Sequence, residues 1–232
     1  MHKVVHKAED RGVAEHGWLH SRFSFSFADW YDPTRMGFGA LRVINDDVID
    51  PSSGFGMHPH RDMEIITIVR EGSVTHEDSM GNKGVVRAGE VQVMSAGTGV
   101  VHSEMNVDPQ VQLSLFQIWI YPDRPGYEPR YAQSAFEEPV LNEPQLVVGS
   151  WESDAPLTIH QHARLMRLRA DTACTLNLTP GSGMYVLVVT GSVTALGETL
   201  GHRDAMGVWD TDSVEVVPRG VAELLIIEVP LK

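Results

Sequence analysis

Apolar residues gather in short runs along this chain, and from residue 39 onward most runs are rich in Val, Ile, Leu and Thr. LRVIN, MEIITIV, VQVM, LSLFQIWI, YVLVV and LLIIEV are separated by Gly, Asn, Asp or Pro. β-Branched residues fit a pleated surface and the punctuating residues fit turns, so each run predicts a strand. A 3.6-residue apolar repeat sustained over a dozen positions is hard to find, which makes an alternating α/β fold a poor fit. Many short strands with frequent turns predict an all-β protein made of sandwiches or barrels. Between Pro122 and Pro144 the chain reads PDRPGYEP and EEPVLNEP. Proline cannot donate to a sheet ladder, so this stretch predicts a connector over residues 126–144, between a domain at 1–125 and a second at 145–232. Gly72-Ser73-Val74-Thr75 recurs 119 residues later as Gly191-Ser192-Val193-Thr194, each copy following an apolar run. The offset nearly halves the chain, so the simplest architecture is two β-barrel, jelly-roll-like domains arising from duplication.

Composition agrees with two modest packed domains: 232 residues, 42% hydrophobic and 21% charged, exclude a disordered chain. With 31 acidic against 18 basic residues the net charge is −13, which disfavours direct nucleic-acid binding by counterion release. The opening MHKVVHKAEDRG lacks the apolar stretch of a secretory signal, and no run approaches the roughly 20 apolar residues that span a bilayer. The expectation is a soluble cytoplasmic protein that does not enter membranes and is a monomer. The single cysteine, Cys174, cannot form an intrachain disulfide and lies in the alternating TACTLNLT, where a buried, inert thiol is expected.

The candidate chemistry lies in two segments. GFGMHPHRDME places His58 and His60 two residues apart, and SAGTGVVHSEMN places His102 and Glu104 at the same spacing. On an extended strand residues i and i+2 share a face, roughly 6.6 Å apart, so each pair can reach one ion. Three imidazoles and a carboxylate leave coordination positions open to substrate or dioxygen, unlike the closed cysteine sets of structural zinc.

HPHRDMEIITIVREG, then HEDSMGNKG, then AGEVQVMSAGTGVVHSE resemble the metal-binding domain of the pirin family within the cupin superfamily, over about His16 to Tyr121. His58, His60 and Glu64 match the first general cupin motif, and Gly89, Gly97 and His102 match the second. Ser95 stands where many cupins have proline, and the interval from Gly97 to His102 is longer than usual; both departures fit the pirin-like branch. The resemblance implies a bicupin whose carboxylate ligand is Glu104, with Glu64 as the alternative. It implies one divalent transition-metal ion, Fe(II) favoured, while imidazole and carboxylate ligands also accept Ni, Co, Cu, Mn or Zn. It further implies quercetin 2,3-dioxygenase activity, with a small aromatic flavonol and dioxygen as reactants and Glu104 as the candidate catalytic base. The rival expectation is a metal-binding redox sensor or transcriptional co-regulator acting through a protein partner.

Other features carry less. Adding the offset to positions 58, 60 and 102 gives Asn177, Thr179 and Val221, so the second barrel is expected to hold no ion. His160 and His162 form a pair without a matching second pair, and His16, His20, His76 and His202 stand alone as surface or locally bonded residues. The glycines of GFGM and GTGVV precede no helix and read as turns, not as a nucleotide cradle. Met36, Met57, Met94 and Met105 are candidates for lining a substrate cavity or for core filling.

Overall fold

The computed structural model describes residues 1–231. Among them the regular elements are strands and one 3-10 turn, Ala8–Asp10, and no helix is long and apolar enough to cross a membrane. Two barrels share one plan. In the first, a large sheet runs Arg130–Ala135, Glu90–Ser95, Glu64–Glu71, Leu113–Ile120, Leu41–Ile49, Leu19–Phe23 and Gly12–Glu15 in spatial order. Its small sheet runs Ser53–His60, Val100–Asn106, Ser73–Asp78 and Lys83–Arg87. In the second, the large sheet runs His2–His6, Ala205–Trp209, Ser182–Thr190, Ala222–Pro230, Arg164–Ala170, Gln145–Ser150 and Leu157–Ile159. The small one runs Cys174–Asn177, Ser213–Pro218, Val193–Ala195 and Glu198–Leu200. The five central strands of each large sheet and all four of each small sheet follow the same order, which is what duplication leaves behind; the outermost strands differ, Arg130–Ala135 following its barrel where His2–His6 precedes both, and Leu157–Ile159 lying parallel to its neighbour.

The repeated glycines explain the GSVT motif. Gly72 and Gly191 sit at φ +72° and +78°, and a Cβ on either would meet a backbone oxygen, of Gln112 at 2.6 Å and of Val221 at 2.5 Å. Only glycine passes both tests. The repeat does drift beyond that point. His102 pairs with His58, whereas the equivalent pair in the second barrel is Ser213 with Asn177, so Val221 is not the counterpart of His102. The second barrel's hairpin, Val193–Ala195 with Glu198–Leu200, is shorter than Ser73–Asp78 with Lys83–Arg87, and the offset shrinks accordingly. Its interior is an apolar core that includes Met166, Leu168, Val186, Met206, Val216 and Ile226.

Two edges differ from the sequence expectation. The connector expected at 126–144 contains the strand Arg130–Ala135, paired with Glu90–Ser95 in the first barrel. Prolines flank RYAQSA without interrupting it, so its amide donors stay available. The domain expected at 1–125 has its first strand elsewhere: His2–His6 pairs with Ala205–Trp209 of the second barrel.

The two large sheets pack back to back. Ile44, Ile66, Ile68, Phe116 and Ile118 of the first join Val147, Leu165, Tyr185, Leu225 and Ile227 of the second in one buried cluster. Strands such as Glu64–Glu71 are therefore covered on both faces, which is why they read as apolar runs and not as alternations. A charged knot crosses this interface. Asp46 receives Arg70 at 2.7 Å, Arg11 at 3.4 Å and, from the second barrel, Arg203 at 2.6 Å. The guanidinium groups of Arg70 and Arg203 both lie over the Phe116 ring, 4.7 and 4.9 Å from its centroid. Asp47, the next residue, points by strand alternation into the first barrel.

Candidate metal centre

Inside the first barrel, apolar clusters occupy the two ends: Leu19, Ile49, Val69 and Leu115 at one, Ile65, Met94 and Val100 at the other. Between them runs a polar row. Across the large sheet Asn45 is paired with Gln117, Gln117 with Thr67 and Thr67 with Gln92. Paired residues on adjacent strands project to the same side, so four strands each deliver one polar side chain to the same level.

The small sheet faces that row. A register shift in the pairing of Ser53–His60 with Val100–Asn106 leaves Gly56 and Met57 opposite Ser103, a bulge that re-aims the residues after it. Gly54 allows the strands to close, since a Cβ there would meet the Glu104 carbonyl oxygen at 2.4 Å. His58 Nδ1 lies 2.8 Å from the Gly56 carbonyl, which accepts a hydrogen bond from Nδ1–H and leaves Nε2 free. Ring centroids lie 4.8 Å apart for His58 and His60, 4.4 Å for His58 and His102, and 5.0 Å for His60 and His102. One ligand atom from each of the three lies within 4.8 Å of the others. A second group of that size joins His102 to Glu104 and His76.

Glu104 is fully enclosed. Its Oε1 accepts from Gln92 Nε2 at 2.7 Å and from Thr67 Oγ1 at 3.1 Å, and its Oε2 accepts from Gln117 Nε2 at 2.7 Å. Burial, against those donors and helped by nearby Asp47, pushes its carboxyl up to about 7. Burial and the neighbouring imidazoles lower His102 to about 3, and burial with His58 lowers His60 to about 4. At neutral pH these rings are uncharged and offer lone pairs. Both ring nitrogens of the buried His102 lack a hydrogen-bond partner among the described residues, and so does His76 Nδ1. Unpaired polar atoms in a closed interior cost free energy, and a cation among them removes that cost while favouring ionised Glu104. The residues present therefore fit a divalent ion.

The alternative carboxylate, Glu64, is buried but lies on the opposite face of its strand from the cavity-lining Ile65. It accepts a hydrogen bond from Ser95 Oγ at 2.6 Å. His76, expected at the surface or in a local bond, makes the local bond, Nε2 3.1 Å from Asp78, and in addition is buried with its ring 5.3 Å from His102 and stacked on Tyr131. Sequence spacing cannot find it, because cross-strand register places it opposite Glu104. His160 stacks on Tyr127 at 3.7 Å, and among the described residues no three-ligand group includes it or His162. Met94 is core and Met57 is exposed. Cys174 is a buried free thiol whose pKa burial raises.

A cavity of about 160 Å³ opens over the imidazoles, walled by Phe27, Asn45, Asp47, Phe55, Gln117 and Trp119. Known proteins share this arrangement of domains. Residues 5–120 match the family described as Pirin, and residues 146–229 match the family described as Quercetinase C-terminal cupin domain. The chain is 45% identical over 228 residues to quercetin 2,3-dioxygenase of Escherichia coli (strain K12), covering 97% of this chain and 98% of that one. It is 41% identical over 221 residues to the pirin-like protein of Caulobacter vibrioides, covering 94% and 95%. The crystal structure of the bacterial pirin YhhW in complex with nickel(II), from Escherichia coli, superposes with a TM-score of 0.93 at 44% identity, over 99% of each chain. With two matching domains in the right order and full-length relatives well above 30% identity, the chain belongs to the pirin family.

Proposed function

We propose that this protein is a metal-dependent flavonol dioxygenase, cleaving quercetin-like flavonols with dioxygen and releasing one ring carbon as carbon monoxide, with one divalent transition-metal ion held by His58, His60, His102 and Glu104. The observation that carries the reading is the buried His102 with two unpartnered nitrogens, between two exposed-side imidazoles and an enclosed carboxylate, beneath an aromatic-walled cavity. When bound, the ion supplies Lewis-acid and template chemistry, drawing the flavonol oxygen and dioxygen together. The protein supplies the rest. His58 is fixed in one tautomer by the Gly56 carbonyl, and Glu104 is fixed by three donors, so the open side of the site is set before substrate arrives. Phe27, Phe55 and Trp119 give a flat aromatic ligand apolar walls and keep water from the reacting face. Fe(II) is the ion favoured by the family likeness, and the nickel(II) complex of the Escherichia coli pirin makes nickel the first alternative to assay.

The test is aerobic incubation with quercetin. Protein loaded with Fe(II) or Ni(II) is expected to bleach the flavonol absorbance and release carbon monoxide, and the His58→Ala variant is expected to do neither. Equal bleaching by the two proteins ends the proposal.

A further inference from the structure

The hydroxyl of a flavonol must lose its proton before the ring can be cleaved, and Glu104 is badly placed to take it. It lines the same cavity as the imidazoles, but both of its oxygens already accept hydrogen bonds from three side chains. Asp47 is differently situated. It stands on Leu41–Ile49 on the wall of the 160 Å³ cavity, outside both ligand groups. Ser21 Oγ donates to its Oδ1, and its Oδ2 has no hydrogen-bond partner among the described residues. Two other residues of the same wall hold unpartnered buried polar atoms, Asn45 Oδ1 and Trp119 Nε1.

The cavity's shape gives these groups a common ligand. A drug-sized molecule needs roughly 300 Å³ or more, so the space over the imidazoles cannot hold a three-ring flavonol alone. A neighbouring hollow of about 390 Å³ shares Phe27, Asn45, Asp47 and Phe55 with it and adds Trp18, Leu19 and Phe23. Trp18 and Phe55 meet edge to face at 5.2 Å, and Phe23 and Phe27 at 5.3 Å, giving this hollow aromatic walls. Asp47 is common to both hollows, so a flat molecule lying across them passes it.

Resting on the flavonol reading, we propose that Asp47 is the proton acceptor for the substrate's reacting hydroxyl, at the junction of a metal-side hollow and an aromatic-walled one. The O–H bond of the flavonol breaks, the proton goes to Asp47 Oδ2, and the electron pair stays on the flavonol oxygen. Burial, opposed by Ser21 and helped by Asp46, pushes the Asp47 carboxyl up to about 7, a value suited to taking and returning a proton near neutrality.

The test uses metal-loaded protein and two probes, quercetin and 3-hydroxyflavone, whose only hydroxyl is the reacting one. Under anaerobic conditions the wild type is expected to develop the long-wavelength band of the flavonol anion. Asp47→Asn is expected to bind both probes within about threefold of wild type, to lose most of that band, and to turn over about 100-fold more slowly. Asp47→Ala is expected to regain the band when formate is added. An undiminished band and rate in Asp47→Asn overturn the proposal, as does a defect confined to quercetin, which would place Asp47 on a peripheral hydroxyl. If Asp47→Asn does not fold, failure of formate to restore Asp47→Ala overturns it instead. These results leave the flavonol reading intact; a wild type that neither binds nor bleaches either probe overturns both.

Discussion

A glutamate sealed inside a barrel keeps its charge only if its surroundings make up for lost water, and Glu104 has three side-chain donors for that purpose. Gln117 matters most to Oε2, which has no other donor among the described residues. Gln117→Leu removes it at similar volume, and metal affinity is expected to fall about 10- to 100-fold, measured by competition against a chromogenic chelator. Unchanged affinity would mean that the carboxylate is held by something other than this row. The two histidine-bearing pairs were legible from spacing, because alternation is a local property. The row Asn45, Gln117, Thr67 and Gln92 was visible only as scattered polar residues within four strand-forming runs. Which face each occupied, and that all four stood level, depended on pairing between segments far apart in sequence. His76 was missed for the same reason.

Strands were legible because both faces of the large sheets are covered, giving unbroken apolar runs, and prolines hid the one strand they bracket, Arg130–Ala135. The strand His2–His6 offers no such signal, being polar and half-exposed, yet it seats His6 in a buried contact. His6 Nδ1 lies 2.9 Å from the Tyr185 hydroxyl, and burial with nearby Arg35 lowers its pKa to about 4. An unfolded chain takes up this proton near pH 6.5, whereas the folded chain resists it to about pH 4, so stability falls as pH drops through that window. The loss from this group reaches up to about 3 kcal/mol. His60 and His102 titrate in the same range, so the measurement is a difference in metal-free protein: urea midpoints of His6→Gln are expected to decline less steeply from pH 7 to pH 4.5 than those of wild type. Parallel curves would show that His6 carries no such penalty.

At the scale of the molecule, duplication produced two barrels of one plan and opposite content: the second filled its interior with apolar side chains, the first kept a polar belt and a cavity. Their union depends on more than the apolar interface. Asp46 gathers three guanidinium groups from both barrels, each at least nearly nine-tenths buried except that of Arg70. Asp46→Asn leaves those cations without their anion, and the unfolding free energy is expected to drop by about 3 kcal/mol in urea titrations. A loss under 1 kcal/mol would mean that solvent reaches the knot. The pairing of His2–His6 with Ala205–Trp209 has a consequence for biosynthesis. At about 5–20 residues per second, the oldest segment leaves the ribosome roughly 10–40 seconds before its partner is made. The molecule is finished only when its earliest strand is joined to one of its latest.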